Sequence, residues 1–564
     1  MVLDNAESIL DPEGPDAREI YAAVDELTKF SNICLCITSR ISIIPPDCKV
    51  IKVPTLLTEA AQDAFYQISG HDERSSSINE VLEQLDNHPL SITLLATVAQ
   101  HNQWDANRLV SEWGKQRTEV LHVQHSPSLT TAIGLSLASP MFWQLGPDAR
   151  PLLEVVAFLP QGVNEKHIHW LFPTISNVQK ILDKFCILSL AYRNNGFITM
   201  LAPLRDHLRP RDPASSPLLN TTKECYFMQL SGDIRPGKPG FEEARWITTE
   251  DVNIEHLLDV FTTIDVNSES TWDACAKFMA QLYWHKSRLV TLGPKIEALS
   301  DTHPSKPQCL FDLSRLFGSV GNYVECKRLL SHSLKLWRER GNDFQVARTL
   351  NLLSDANRLT GLEREGIQQA REASEIAGQL SEVVEQADSL IFLALLLQGA
   401  KQPDAAEEAA SRAIGLLPEK GEEHLVCQAH RALGRIYQSM GKMKQAIYHL
   451  EAALGIARSL NDVEELFWIH FSLSGVFCEQ SKLEDAQIYL EHAKSHAVND
   501  AYNLARAMDK QAQLWDRQGR FEDAKSEGLH AIDLFERLGA ANDVEATTQF
   551  LHQIGARRPW RFKW

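Results

Sequence analysis

The chain has 564 residues and 44% hydrophobic content, which is enough for several buried cores and, by size, about three to five domains. Its 56 Lys and Arg against 74 Asp and Glu leave a net charge of −18, which repels phosphate backbones and anionic lipid, so no nucleic acid and no membrane surface is expected as a partner. The ten cysteines form no paired CxxC knuckles, the opening residues lack the basic and apolar regions of a secretory signal, and the longest apolar stretch, at residues 389–397, is too short to cross a bilayer; a soluble, cytoplasmic protein is the expectation.

In chain order, Val2 and Leu3 read as the end of a buried strand followed by Asp4, Asn5 and Glu7. Residues 17–27 follow as a helix with Ile20, Val24 and Leu27 on its apolar face, and residues 30–40 (FSNICLCITSR) as a second strand ending in Thr38, Ser39 and Arg40. Two strands with a helix between them make an α/β unit over residues 1–45, and ligands of such sheets lie beyond the carboxyl ends of the strands, where these polar groups fall. Residues 56–87 are helical in pattern within a helical domain at 46–125, and 126–212 holds an apolar helix near 152–160 and a late strand beginning at Phe197. Two breaker-rich turns, 209–213 and 235–240, suit joints between domains, and helices resume at 253–261 in a connector spanning 213–300.

Beyond residue 300 small residues recur with a 40-residue period at Ser314, Ser354, Ala394, Gly434 and Ser474, then at Ala512 after 38. Twelve positions after each stands a second small residue (Cys326, Gly366, Ala406, Ala446, Ala486, Ala524), and seven further a third (Ser333, Ala373, Ala413, Ala453, Ala493, Ala531). Antiparallel helices joined by a short turn pack closely only where the crossing side chains are small. Large apolar groups three positions beyond the first small residue, among them Phe317, Leu397, Tyr437, Phe477 and Trp515, fill the groove between hairpins; Asn357 takes that place in the second repeat, which predicts a looser unit. Glycines at 321, 361, 441 and 519 mark turns.

This pattern resembles the tetratricopeptide repeat (TPR), best in Leu433-Gly434, Tyr437, Ala446, Leu450 and Ala453, and covers about six repeats over 301–542, with a capping helix and tail at 543–564. The fold class expected is therefore mainly α: a partial α/β remnant, a helical domain, a winged-helix-like domain and an α-solenoid of helical hairpins. In TPR proteins the first helix of each hairpin lines a concave groove that accepts peptides or helices. The resemblance thus places Arg348, Asn351, Asp355, Arg358, Gln428, Arg431, Arg435, Trp468, Phe471, Arg506 and Asp509 in a groove for a protein partner.

The N-terminal half resembles signal-transduction NTPases of the STAND/NB-ARC type, such as fungal NLR-like nucleotide-binding TPR proteins. Val2-Leu3-Asp4-Asn5-Ala6-Glu7 is similar to their Walker B strand, with Asp4 as the Mg²⁺ residue; Ile37-Thr38-Ser39-Arg40 looks like the sensor strand that reaches the terminal phosphate; Asn87-His88-Pro89-Leu90 looks like the motif whose proline lies against adenine. The small helical domain and the winged-helix domain of that family correspond to 46–125 and 126–212. Met200-Leu201-Ala202 stands where the family's plant-type members carry Met-His-Asp, which removes one nucleotide contact. No Gly-Lys-Ser or Gly-Lys-Thr occurs in the chain, so the phosphate loop is missing and Met1 falls within the Walker B strand, which implies a chain beginning in mid-domain.

ADP or ATP with Mg²⁺ is implied by the resemblance but is not expected to bind this chain alone, and hydrolysis is not expected. The function implied is a signalling protein switched between ADP and ATP forms, with the repeats detecting a trigger and homo-oligomerisation on activation. The alternatives are a nucleotide-independent TPR scaffold and a winged-helix DNA reader, the latter disfavoured by the acidic charge. Neither Cys34 and Cys36 nor His167 and His169 have partners at zinc spacing, and the basic aromatic tail at 560–564 reads as a frayed terminus.

Overall fold

The computed structural model describes residues 56–70, 75–85, 87–119, 133–134, 136–230, 236, 241, 243–285, 288–418, 420–497, 500–538 and 540–556, together with Val2, Leu3, Val24, Glu26, Leu27, Cys36 and Ile37. These residues form two compact units, Met1–Gln144 and Leu145–Trp564. Helix dominates both, as the sequence predicts, and no described helix is long and apolar enough to cross a membrane.

In the first unit, Val2–Leu3 pairs in parallel with Cys36–Ile37, in the register Val2 to Cys36 and Leu3 to Ile37. Four longer helices follow: Thr58–Ser69, Ser76–Gln84, Pro89–Asn102 and Ala106–Glu119. Their apolar faces meet through Ala61, Phe65, Leu82, Leu85, Ile92, Leu95 and Leu109, none of which is accessible to solvent.

The second unit opens with the helix Ala149–Phe158 and a three-stranded antiparallel sheet in which Phe197–Thr199 lies between Val163–Asn164 and Tyr192–Asn194. A Cβ at Gly162 would lie 2.1 Å from the Ile198 carbonyl oxygen, so this sheet edge closes only over glycine. The helix predicted at 253–261 is longer than its sequence pattern suggests and spans Ile247–Ile264. Its first turns carry Glu250, which is wholly buried: His167 Nδ1 lies 2.6 Å from one carboxylate oxygen, and Tyr226 Oη and Asn253 Nδ2 each donate to the other at 2.9 Å. Trp170 and Trp246 close over this network with ring centroids 5.6 Å apart.

From Lys306 the chain runs as six antiparallel hairpins. Their first helices are Lys306–Ser319, Asp343–Leu359, Val383–Gly399, Glu423–Ser439, Val463–Glu479 and Ala501–Arg517; Ala541–Ala556 follows the last hairpin. The period of 40, longer than the common 34-residue unit, comes from long helices, many of 17 residues, joined by short turns. All the in-phase small residues are buried, from Ser314 and Gly434 in the first helices to Ala453 and Ala531 in the second. Asn357 is buried too, and its amide donates to Gln369 on the partner helix at 2.8 Å, so a polar contact replaces the apolar filler.

Gly434 tests the close-approach argument. A Cβ there would meet Leu450 Cγ at 2.5 Å and the Ala446 carbonyl oxygen at 3.3 Å, and Leu450 is itself fully buried. In the facing helix, Gly455 is exposed and has nothing within 4 Å of such a carbon. Gly434→Ala is therefore expected to destabilise by about 1–3 kcal/mol through overpacking. Gly455→Ala should stabilise by roughly 0.5–1 kcal/mol through helix propensity alone. Denaturant midpoints of the two variants should move in opposite directions.

Candidate binding site

The hairpins curve until the first meets the sixth. Tyr323 and Tyr502 pack edge to face with centroids 5.7 Å apart, and the turn before Tyr323 runs so close that a Cβ on Gly321 would lie 2.9 Å from the Tyr502 ring. Gly321 takes φ +80°, which ends its helix and turns the chain under that ring. The Tyr502 hydroxyl in turn donates to Asp543 at 3.0 Å, which ties the closing contact to the final helix. On the other side, Trp284, at the end of the helix Glu269–His285, packs edge-on against His424 at 5.6 Å.

These contacts border an open cavity of about 300 Å³, lined by residues from the first helix of all six hairpins. Of the residues assigned to a groove from the sequence, Asp355, Arg358, Gln428, Arg431, Arg435, Trp468, Phe471 and Arg506 line it. Arg348, Asn351 and Asp509 do not. The Arg348 guanidinium lies over Phe311 at 5.2 Å, Asn351 donates to Glu385 at 2.7 Å, and Asp509 accepts from Gln513 at 2.8 Å, so each serves a neighbouring helix turn or repeat. Asp4, Asn5, Glu7, Thr38 and Arg40 lie outside the described residues, as does the tail at 560–564. Pro89 is exposed at the first position of its helix, whose N-cap His88 accepts from the Ser91 amide at 3.5 Å.

Sequence reasoning missed other lining residues, notably Tyr283, Trp284, Arg315, Tyr323, Tyr502 and Lys510. Arg315 lies over the Tyr283 ring at 3.9 Å, a cation–π contact that brings the preceding helix into the wall. The adjacent aromatics Tyr283 and Trp284 were the available signal, since large aromatic groups with a polar tip favour surfaces shared with other groups.

Within the cavity, part of the charge is paired. Arg431 and Glu465 are both buried and bonded twice, Nε to Oε2 at 2.6 Å and Nη2 to Oε1 at 3.1 Å. Burial alone would lower the Arg431 pKa, but Glu465 holds it above the ordinary value. Asp355 accepts from Arg358 Nε at 2.8 Å and Nη2 at 2.6 Å. His424 shows the same balance: burial lowers its pKa, yet the hydrogen bond to Asp462 at 2.7 Å and that carboxylate's charge raise it above the usual histidine range.

Arg506 spreads over three rings, Trp468 at 5.3 Å, Phe471 at 5.7 Å and Tyr502 at 5.9 Å. The wall therefore offers flat apolar faces beside charged and amide groups, a composition suited to gripping a polypeptide segment.

Residues 385–459 match the tetratricopeptide repeat family model. That match covers most of the third hairpin and the whole of the fourth, and the same helix-pair arrangement repeats through the six hairpins. Among solved structures, the chain is similar to a Signal Transduction ATPase with Numerous Domains (STAND) protein with a tetratricopeptide repeat sensor from Pyrococcus horikoshii, at 11% identity over 92% of this chain and 76% of that one, TM-score 0.52. At that identity the likeness is one of fold. A Rap protein complexed with Competence and Sporulation Factor aligns at 12% identity over 59% of this chain and 98% of its own, TM-score 0.40. Aspartyl phosphate phosphatase F from Bacillus subtilis aligns at 14% over 82% and 95%, TM-score 0.35. Comparison with curated protein sequences gives no match.

Proposed function

We propose that this chain is the sensing portion of a STAND-like signalling protein, and that its tetratricopeptide array receives an extended segment of a protein partner inside the closed curve of hairpins. The observation that carries the reading is the cavity itself: six consecutive first helices, with aromatic and paired charged groups, converge on one space of about 300 Å³. A polypeptide offers the mixed apolar and hydrogen-bonding surface that such a wall complements.

Peptide display against the full chain tests this. Ser472 lines the cavity and Tyr448 is exposed on a second helix away from it. Selected peptides should lose binding in Ser472→Trp, which fills the space, and keep it in Tyr448→Ala. Peptides indifferent to the filled cavity would count against the reading.

For the nucleotide, the only described residue among those the resemblance assigns to it is Pro89, which offers an apolar face but no phosphate contact. No Gly-Lys-Ser or Gly-Lys-Thr in this sequence supplies the phosphate cradle. The described residues that the resemblance assigns to the nucleotide thus do not fit its phosphates. This favours a second reading, a scaffold whose partner binding is independent of nucleotide. Under it, titration of the full chain with ADP and Mg²⁺ gives no heat, and peptide affinity is the same with and without them; a micromolar ADP isotherm would return the switch to first place.

A further inference from the structure

The chain as a whole carries −18, yet its cavity is lined by six Lys and Arg side chains against four Asp and Glu. Two of these acids are engaged by arginine, Asp355 by Arg358 and Glu465 by Arg431, and Asp500 accepts from the Asn503 backbone and side-chain amides at 3.0 and 2.7 Å. Three cations remain without an ion pair of comparable quality. Arg435 has a hydrogen bond to Gln398 at 3.5 Å and no carboxylate within 4.0 Å among the described residues. Lys510 makes no ion pair among the described residues, and its ammonium lies over the Phe471 ring at 5.8 Å. Arg506 reaches Asp543 only at 3.7 Å, and its buried Nε has no hydrogen-bond partner.

At Arg435 such an arrangement opposes the stability of the array. Burial first, then the charges of Arg358, Arg431 and Arg506, push the Arg435 pKa down to about 9. Guanidinium groups stay protonated at neutral pH, so this field acts as electrostatic strain that an incoming anion relieves. The three side chains come from the fourth and sixth hairpins, which flank the fifth, and all three line the cavity.

We infer that Arg435, Arg506 and Lys510 form an oxyanion subsite that takes the side-chain carboxylates of an acidic segment of the partner polypeptide, while apolar neighbours in that segment pack on Trp468 and Phe471. This rests on the reading of the cavity as a polypeptide receptor and adds the charge of what it receives. Delocalised guanidinium forks suit paired carboxylate oxygens, and the ammonium supplies a third, movable donor. An acidic ligand also accounts for cations concentrated in the cavity of a protein whose net charge is negative.

The test uses the full chain with two labelled probes, hexaglutamate and hexaglutamine, in fluorescence anisotropy. Hexaglutamate should bind saturably, weaken as salt is added, and bind at least about tenfold more weakly to Arg435→Gln and to Lys510→Gln. Hexaglutamine should not saturate. A second readout does not depend on any ligand: Arg435→Gln should raise the thermal unfolding midpoint, since it removes a cation from like-charged surroundings, whereas a structural role would lower it.

Equal binding of both probes, undiminished hexaglutamate binding by both variants, or a lowered midpoint for Arg435→Gln would overturn the proposal. So would displacement of hexaglutamate by an equal concentration of inorganic phosphate, which would assign the patch to a small anion. If display-selected neutral peptides respond to Ser472→Trp while hexaglutamate fails to bind, the subsite falls and the receptor reading stands. If hexaglutamate binds Ser472→Trp as well as the parent, both fall.

Discussion

Replacing Glu465 with alanine is expected to destabilise the array by about 3–5 kcal/mol. The carboxylate is buried, and its two oxygens hold the Arg431 fork of the preceding hairpin, so it joins the fourth and fifth repeats across their interface. Alanine leaves Arg431 desolvated and unpaired in a wall that already holds Arg358, Arg435 and Arg506. The backbone effect should be small, because the Glu465 amide is capped by Asp462 at 3.1 Å whatever the side chain. Glu465→Gln keeps one acceptor and should lose less. Replacing both partners by apolar residues, Glu465→Leu with Arg431→Met, should recover much of the loss, since no buried charge then remains. Urea unfolding followed by helical circular dichroism orders the variants; a single Glu465→Ala as stable as the parent would show that water reaches this pair.

Glu250→Ala should have an effect of similar size, about 3–5 kcal/mol, in the part of the second unit that precedes the array. One side chain with no solvent exposure serves His167, Tyr226 and Asn253, which come from three separate segments. Its removal strands two buried donors and a histidine ring at once, and such networks lose more than the sum of their pairs. Asn253 also holds the backbone around Gly162, donating to that carbonyl oxygen at 3.0 Å and accepting from the Gln161 amide at 3.0 Å. The disturbance should therefore reach the small sheet. Trp170 and Trp246 cover the network, so a red-shifted tryptophan emission together with a lowered melting midpoint is the expected signature. Unchanged emission would mean that the network does not organise the aromatic cluster.

Much of the solenoid was legible in the sequence because close helix packing restricts side-chain size at fixed spacing, and that restriction is local and repeated. Ser314, Gly434 and Ala531 are buried for the reason that their periodicity implies. Turn positions were read less completely. Gly321, Gly361, Gly441 and Gly519 announce their left-handed conformation, but Ser381, Lys401, Asn461 and Ser481 adopt it without glycine and give no such cue.

The cavity was legible only in part. The tetratricopeptide resemblance assigned Arg348, Asn351, Asp355 and Arg358 together to a groove, yet a 17-residue helix is roughly 25 Å long, and the cavity meets only a portion of it. Asp355 and Arg358 reach it, while Arg348 and Asn351 contact the first helices of the adjacent hairpins. Tyr323 and Tyr502 carry no mark of their meeting, because the superhelical curvature that joins them accumulates over many small rotations between repeats. The unpaired state of Arg435 was likewise invisible, being a property of its neighbours' partners and not of its own position.

An open stack of repeats frays from either end, since each unit leans only on the next. Here the Tyr323–Tyr502 contact links units far apart in the chain, so loosening the last hairpin withdraws support from the first. The array is thus expected to melt more as a ring than as a row. Anything that prises those two rings apart reports its presence to both termini of the repeat region at once.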